Sequence, residues 1–167
     1  MAMGEKSPIA ITNPTAAGKL ALAEAVINLL PAGVAKLSDI KISANWMASP
    51  DDSQRKSDLF NTVKELTQKV CKPWRIAIPV GKDSLSMKTI WQNNKKTNLS
   101  PQSLVISAFA KIKNVSNSIT PQLINKDELV LVYLDLSKNK KRLGGSILAE
   151  VTQQTNLETP NLENLKE

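Results

Sequence analysis

The stretch PTAAGKLALAEAVINLL at positions 14–30, followed by DIKISANWM at positions 39–47, decides the fold. We expect the first stretch to be a helix, because Asn13 can cap the free backbone N–H groups and the proline after it fits the first helical turn. The Pro-Ala-Gly sequence at 31–33 ends that helix. In the second stretch, apolar and polar residues alternate at 40–43, as in a strand with one buried face. The pair predicts a mixed α and β architecture.

Signals for helices and strands continue to alternate along the chain. A second helix is predicted after the acidic residues at 51–52, because apolar residues recur at helical spacing from Leu59 to Val70. Four further segments are predicted as strands: Ser7 to Thr12, Arg75 to Val80, Leu104 to Ile112 and Leu129 to Leu136. The last of these is apolar almost throughout, which is typical of a strand covered on both faces. We therefore predict an α+β domain of two layers, a mostly antiparallel sheet with helices on one face.

A charge run at Ser137 to Arg142 predicts a domain boundary. It separates the predicted strands from a helix that begins near Gly144 and continues to about Thr155. No strand or helix that could partner this helix follows it in the sequence. We expect one domain over residues 1–137, and over residues 138–167 a linker with the first helix of a following, truncated domain.

Composition restricts the chemistry. The 167 residues include no histidine and a single cysteine, Cys71. Ser-His and Cys-His nucleophile pairs, internal disulfides and cysteine-based zinc sites are therefore excluded, and a lone thiol suits a reducing compartment. The apolar runs are far shorter than the ~20 residues of a membrane-spanning helix, and the N-terminus lacks an apolar signal segment. We expect a cytoplasmic protein without membrane contact.

The formal net charge of +7 raises the alternative of a basic nucleic-acid-binding module. The basic excess is spread over both halves of the chain, with one cluster at Lys138, Lys140, Lys141 and Arg142. No aromatic residue lies beside this cluster to stack on bases. A solvated charged loop is the favoured interpretation, and a phosphate-facing role for the cluster stays open.

Glu24 and Asn28 lie one turn apart on the first predicted helix, on a different face from its apolar stripe. A carboxylate and an amide at this spacing present oxygen ligands that Mg²⁺ accepts, particularly when phosphates and waters complete its coordination. The alternative is an acid-amide pair on a solvated helix face, which is the commoner occurrence of this spacing. Spacing alone favours the solvated pair.

A second candidate site is the segment Gly81-Lys82-Asp83-Ser84, which is predicted to form a turn between two strands. Lys82, Asp83 and Ser84 would bring an ammonium, a carboxylate and a hydroxyl to a sheet edge, where a phosphate or an ion could bind. A Walker motif would require glycine at the position of Ile76, so that kind of phosphate loop is excluded.

Six blocks of sequence occur together and in order: AMGEK (2–6), AEA (23–25) with Asn28, DIKISANWM (39–47), PVGKDSLSM (79–87), SLVISAFA (103–110) and RLGGS (142–146). Together they resemble phosphoribosylformylglycinamidine synthase in its large single-chain form, over nearly the whole chain. The resemblance implies a fragment of a longer protein. The fragment would be the second of two domains similar to the N-terminal domain of aminoimidazole ribonucleotide synthetase.

This resemblance also implies a reaction. The family converts formylglycinamide ribonucleotide to formylglycinamidine ribonucleotide in de novo purine synthesis, using ATP, Mg²⁺ and ammonia from a glutamine amidotransferase domain, so the full-length protein would be an ATP-dependent C–N ligase. By resemblance, Glu24 and Asn28 bind Mg²⁺ at a second, non-catalytic ATP/ADP site. Lys82, Asp83 and Ser84 match a loop near the synthase cleft, where they would bind nucleotide or substrate.

The implied partners are the nucleotide and the remaining synthase domains, including a twin domain and the glutaminase domain. No residue of this chain matches a catalytic residue of the family, so the fragment is expected to be inactive alone. The sheet face that would pack against the twin domain would be exposed, and we expect self-association through it. A purely structural subdomain that only pairs with its twin is an alternative, beside the nucleic-acid-binding module.

Overall fold

The computed structural model describes residues 1–93, 95–123, 125, 129–154 and 157–163. The strands are β1 (Ala2–Glu5), β2 (Lys41–Met47), β3 (Ala77–Ser84), β4 (Lys88–Trp91), β5 (Lys96–Leu99) and β6 (Ser103–Phe109). The helices are α1 (Ser7–Ala10), α2 (Pro14–Leu29), α3 (Ser53–Glu65), α4 (Lys72–Trp74) and α5 (Ile147–Val151), and a π-helical segment (Leu66–Cys71) joins α3 to α4. Short 3-10 turns lie at Leu30–Ala32, Leu37–Asp39 and Val115–Asn117.

The main sheet has the strand order β1-β6-β2-β3. Strand β6 runs antiparallel to both β1 and β2, whereas β2 and β3 are parallel and are connected through α3 and α4. A separate hairpin is formed by β4 and β5. The predicted α+β class with a mostly antiparallel sheet is therefore confirmed. Strands β1 and β3 are at opposite edges of the sheet.

Helix α2 begins as its sequence predicts, since Asn13 Oδ1 accepts a hydrogen bond from the Ala16 N–H at 3.0 Å. It packs directly on β1, where a Cβ atom at Gly4 would lie 2.0 Å from the Ala21 carbonyl oxygen. The core between the helices and the sheet is completed by fully buried side chains that include Leu22, Leu29, Ile42, Leu66, Val70 and Ile106. The opposite face of the sheet leaves Met3 and Phe109 exposed. One helical layer on one sheet face matches the prediction.

The predicted strand at Ser7 to Thr12 is wrong, because Ser7–Ala10 forms the helical turn α1. Pro8 fits the first turn of a helix, and the Ile9 carbonyl accepts hydrogen bonds from the N–H groups of Thr12 and Asn13, which close the turn. The edge strand is formed instead by the preceding residues of β1. The predicted turn at 81–84 is also wrong, because these residues extend β3 in parallel pairing with β2.

The predicted strand at Leu129 to Leu136, expected to be covered on both faces, is contradicted as well. Within the described part of the chain this segment pairs with no strand, and its apolar side chains are exposed, up to 100% at Leu131. A strand needs neighbours for its backbone and its side chains, and the described residues provide neither. Helix α5 is shorter than expected at Ile147–Val151, and the boundary between residues 137 and 138 stays a prediction.

No helix in the described ranges has the length and apolar character needed to cross a membrane.

Candidate functional site

Glu24 joins the middle of α2 to the end of β1. Its Oε2 accepts a hydrogen bond from the Glu5 backbone N–H at 2.8 Å, and its Oε1 accepts one from the Lys6 ammonium at 2.6 Å. Burial alone would raise the pKa of Glu24, but the bonds from Lys6 and Glu5 outweigh it and hold the pKa below its ordinary value. The carboxylate is therefore charged at neutral pH and can attract a cation.

Asn28 lies one turn further along α2, on the same face as Glu24. Its Nδ2 donates a hydrogen bond to the Met3 carbonyl oxygen at 3.0 Å. Because the amide nitrogen makes this hydrogen bond, the side-chain oxygen Oδ1 keeps its capacity as an acceptor. The structure thus brings the two residues together as their spacing predicts, beside an edge strand that partly buries Glu24.

Both residues line a cavity of about 670 Å³. The volume falls within the ~300–1,000 Å³ range of sites for small ligands. The charged lining residues are Lys6, Glu24, Asp135, Lys138, Lys140, Arg142 and Glu163, and the apolar or aromatic ones include Leu20, Ile27, Trp74, Leu136 and Leu162. A cavity with cations, carboxylates and apolar surface can accept a ligand that has an anionic part and a ring.

Three of the four residues of the basic cluster, Lys138, Lys140 and Arg142, line this cavity, and the cluster is only partly solvated. The Arg142 side chain is 7% exposed. Lys140 Nζ lies 2.7 Å from Glu163 Oε2, and Arg142 Nη1 lies 2.7 Å from Glu163 Oε1. Since the Glu163 carboxylate neutralises part of the positive charge, the cluster does not present its full charge to solvent.

The oxygen atoms of Glu24 and Asn28 fit a hard cation such as Mg²⁺. Each oxygen of Glu24 accepts one hydrogen bond and keeps acceptor capacity, and Asn28 adds an amide oxygen. In the described part of the chain, no group of three histidine, cysteine, aspartate or glutamate residues could hold a metal ion by itself. The pair can therefore supply two ligands, with phosphate oxygens and waters as the natural remainder.

The second candidate group, Lys82, Asp83 and Ser84, lies elsewhere. All three residues are in β3, at the sheet edge opposite β1, so the structure does not bring them to the cavity. The Lys82 ammonium donates a hydrogen bond to Ser84 Oγ, because residues two apart share one face of a strand. Asp83 lies on the other face. The three groups therefore form no single site within β3.

The site includes residues that sequence reasoning did not assign. Lys6 and Glu163 complete it from positions 18 residues before Glu24 and 21 residues after Arg142. No local spacing indicates such contacts, because they depend on how β1 and the segment at 157–163 pack in three dimensions. The only available signal is the resemblance block at 2–6, which contains Lys6 without assigning it a role.

A comparison with known protein families found a match. The family model described as the FGAR-AT PurM_N-like domain matches residues 1–111, which include the six strands of the described residues, α1 to α4 and both groups of candidate residues. The predicted resemblance is thereby confirmed over these residues, which contain five of the six sequence blocks, and the block at 142–146 lies outside the match. FGAR amidotransferase is a ligase of the purine pathway. The chain belongs to the FGAR-AT PurM_N-like domain family.

Proposed function

We propose that this chain contributes part of an Mg²⁺-nucleotide site to a synthase that forms formylglycinamidine ribonucleotide from formylglycinamide ribonucleotide. The complete protein would be an ATP-dependent, glutamine-using C–N ligase. The observation that carries the proposal is the cavity that Glu24 and Asn28 share with Lys6, in a chain of this family. A bound Mg²⁺ would neutralise the phosphate charge of ATP or ADP.

The side chains have separate roles in this proposal. Glu24 and Asn28 would hold the cation through their oxygens. Lys6 balances the charge of Glu24 and can donate to a phosphate oxygen that approaches the same carboxylate. Trp74 and Ile27 provide apolar lining that suits a purine ring.

We infer that the 167-residue chain is inactive alone and that the remaining domains supply the catalytic groups. The chain contains no histidine to act as a general base. The open sheet face, with exposed Met3, Val80 and Phe109, supports a twin domain as one partner, and the glutaminase domain would be another. Lys82, Asp83 and Ser84 would bind nucleotide or substrate only at a cleft completed by such partners. A cytoplasmic location suits the unpaired, buried thiol of Cys71.

Isothermal titration of the chain with ADP, in the presence and absence of Mg²⁺, tests the proposal. We expect Mg²⁺ to tighten ADP binding and Glu24→Gln to remove this Mg²⁺ dependence, because the substitution removes the negative charge that the site offers to the cation and leaves it two neutral amides. Glu65→Gln is the matched control, since Glu65 pairs with Lys69 and does not line the cavity. Mg²⁺-dependent binding that is unchanged in Glu24→Gln would contradict the metal assignment.

A purely structural pairing subdomain is the second candidate, favoured by the open sheet face. It predicts dimerisation with the twin domain while the nucleotide site of this chain is vestigial or regulatory, and Mg²⁺-dependent ADP binding that Glu24→Gln abolishes would count against it. The nucleic-acid alternative predicts binding to duplex or single strands that weakens steeply with salt. The Glu163 carboxylate, which neutralises part of the basic cluster, does not favour that alternative.

A further inference from the structure

The carboxylate of Glu163 lies between two cations at the cavity. One oxygen is 2.7 Å from the Lys140 ammonium and the other is 2.7 Å from the Arg142 guanidinium. The Lys140 bond is the main reason that the pKa of Glu163 is below its ordinary value, so this carboxylate is charged at neutral pH. A guanidinium and an ammonium that hold two oxygens of one anion form the arrangement that proteins also use for phosphate.

The same place contains polar atoms without a protein partner. Among the described residues, Arg142 Nε and Asn161 Oδ1 are both buried and make no hydrogen bond. Arg142 uses its other nitrogens, with Nη1 on Glu163 and Nη2 donating to the Asn161 carbonyl oxygen at 3.1 Å. A buried guanidinium N–H without an acceptor is costly, and an additional anion oxygen would satisfy it.

We propose that Lys140 and Arg142 form a phosphate subsite of this cavity and that the Glu163 carboxylate is its internal occupant, displaced when a phosphate-bearing ligand binds. The ligand class is a di- or triphosphate, because the same cavity is also lined by Lys6, whose ammonium can pair with a second phosphate. The inference deepens the proposed function and rests on it in taking a nucleotide as the source of the phosphate.

The internal carboxylate lowers the apparent affinity of the subsite. A phosphate must displace Glu163 before it can bind. The apparent affinity is therefore reduced in proportion to the small fraction of molecules in which Glu163 does not occupy the two cations. Glu163→Gln keeps the size of the side chain and removes its charge. We therefore expect this variant to bind pyrophosphate and ADP about tenfold more tightly than the unmodified chain.

The test is isothermal titration of the 167-residue chain with inorganic pyrophosphate in EDTA and with ADP plus Mg²⁺. Lys140→Gln removes one cation of the subsite and should weaken binding of both probes severalfold. Its side chain is 49% exposed, so the substitution leaves the core intact. Glu150→Gln on α5 makes the same chemical change as Glu163→Gln at an exposed position outside the cavity, and binding should not change.

The two probes distinguish a nucleotide from a free polyphosphate as the ligand, and they distinguish failure of the phosphate subsite from failure of the proposed metal site. Tighter binding of ADP than of pyrophosphate by Glu163→Gln supports a nucleotide, whereas equal affinity supports a free polyphosphate at the same subsite. Unchanged, weaker or undetectable binding of both probes by Glu163→Gln overturns the inference. If Glu163→Gln strengthens pyrophosphate binding in EDTA but Glu24→Gln leaves Mg²⁺-ADP binding unchanged, the phosphate subsite stands and the proposed metal site fails.

The reverse pattern is equally decisive. Loss of Mg²⁺-dependent ADP binding in Glu24→Gln, without any effect of Glu163→Gln or Lys140→Gln, retains the metal site and rejects the phosphate subsite. Circular dichroism of each variant checks that the fold is unchanged.

Discussion

The ammonium of Lys6 lies 2.6 Å from Oε1 of Glu24 and connects the residue after β1 to the middle of α2. This contact fixes the edge strand to the helix, and it also sets the charge state of the carboxylate that we assign to the metal. Glu24 therefore has a structural role as well as its proposed binding role. Stability measurements on the chain can detect the first role without any ligand.

We predict that Glu24→Gln lowers the free energy of unfolding by about 1 kcal/mol at pH 7, because the pair is partly exposed and the Glu5 N–H loses a charged acceptor. The pKa of Glu24 is lowered in the fold from a reference of 4.5, so its charge stabilises the fold above that pH. This contribution is lost as the pH falls through the lower, folded-state value.

Urea unfolding of the unmodified chain and of Glu24→Gln at a series of pH values measures this effect. The stability difference should be largest near neutrality and should shrink as the solution becomes more acidic than about pH 4. A difference that stays constant across this range would show that the Lys6 contact does not control the ionisation of Glu24.

Gly4 and Gly81 provide a second prediction with an internal control. A Cβ at Gly4 would lie 2.0 Å from the Ala21 carbonyl oxygen, and a backbone oxygen in a helix cannot move aside without displacing α2. We expect Gly4→Ala to destabilise the chain by about 3 kcal/mol or more. Gly81→Ala, whose Cβ would meet no atom within 4 Å, should change stability by less than about 1 kcal/mol.

Thermal unfolding of the two variants under identical conditions is the measurement. Equal melting temperatures for Gly4→Ala and Gly81→Ala would mean that β1 does not lie against α2 as described. Such a result would also remove the support that β1 gives to the position of Glu24.

How much the sequence could predict depended on whether each feature is local. The cap at Asn13 and the alternation in β2 involve neighbouring residues, so helix α2 and strand β2 followed from pattern alone. The strand predicted at Ser7 to Thr12 failed because Pro8 also suits a helical turn, and a short apolar segment does not distinguish the two. Leu129 to Leu136 failed for a different reason, since its pattern specifies burial but not the partner that buries it.

In the candidate site, too, local features could be predicted from the sequence and long-range contacts could not. Glu24 and Asn28 share a helix face, which spacing predicts, and their likeness to known metal ligands came from the family resemblance. Lys6 and Glu163 were missed as site residues because their contacts join segments that are distant in sequence. Lys82 was assigned to a turn, but pairing with β2 keeps its segment extended. Pairing between segments that are distant in sequence thus determined the conformation and contacts of residues that the local sequence pattern could not assign.

Cys71 gives a prediction for chemical reactivity. Burial raises the pKa of its thiol from 9.0 to about 11, so the thiolate that reacts with disulfide reagents is scarce at pH 8. We expect labelling by a chromogenic disulfide at pH 8 to be at least about a hundredfold slower in the folded chain than in urea. Rapid labelling without urea would show that the segment around Cys71 opens readily.

The sign of the pH effect at Cys71 is opposite to that at Glu24. The neutral thiol is favoured in the fold, so its contribution to stability is complete below pH 9 and is lost as the pH rises toward 11. Cys71→Ala should remove this alkaline dependence from the urea midpoint, although the smaller side chain leaves a cavity that lowers stability at every pH. An unchanged alkaline slope in that variant would assign the dependence to another group.

The exposed segment at 129–136 predicts how the isolated chain behaves at high concentration. Leu131 is fully exposed and the other apolar residues of the segment are 58–87% exposed, so the segment presents an apolar, association-prone surface. We expect the unmodified chain to associate and Leu131→Glu to raise the concentration at which association begins, without changing the free energy of unfolding. Ile11→Glu introduces the same charge at an exposed apolar position outside this segment. It is the control and should leave association unchanged.

Light scattering over a range of concentrations measures the association. If Leu131→Glu has no effect and Phe109→Glu abolishes association, the contact is made by the open sheet face, because Phe109 is the exposed aromatic residue of β6. If both substitutions reduce association, the segment at 129–136 and the open sheet face both contribute to the contact, since each substitution removes part of the exposed apolar surface. A chain that stays monomeric at every concentration would contradict the prediction. Such a result would mean that burying the exposed apolar surface does not provide enough free energy for association.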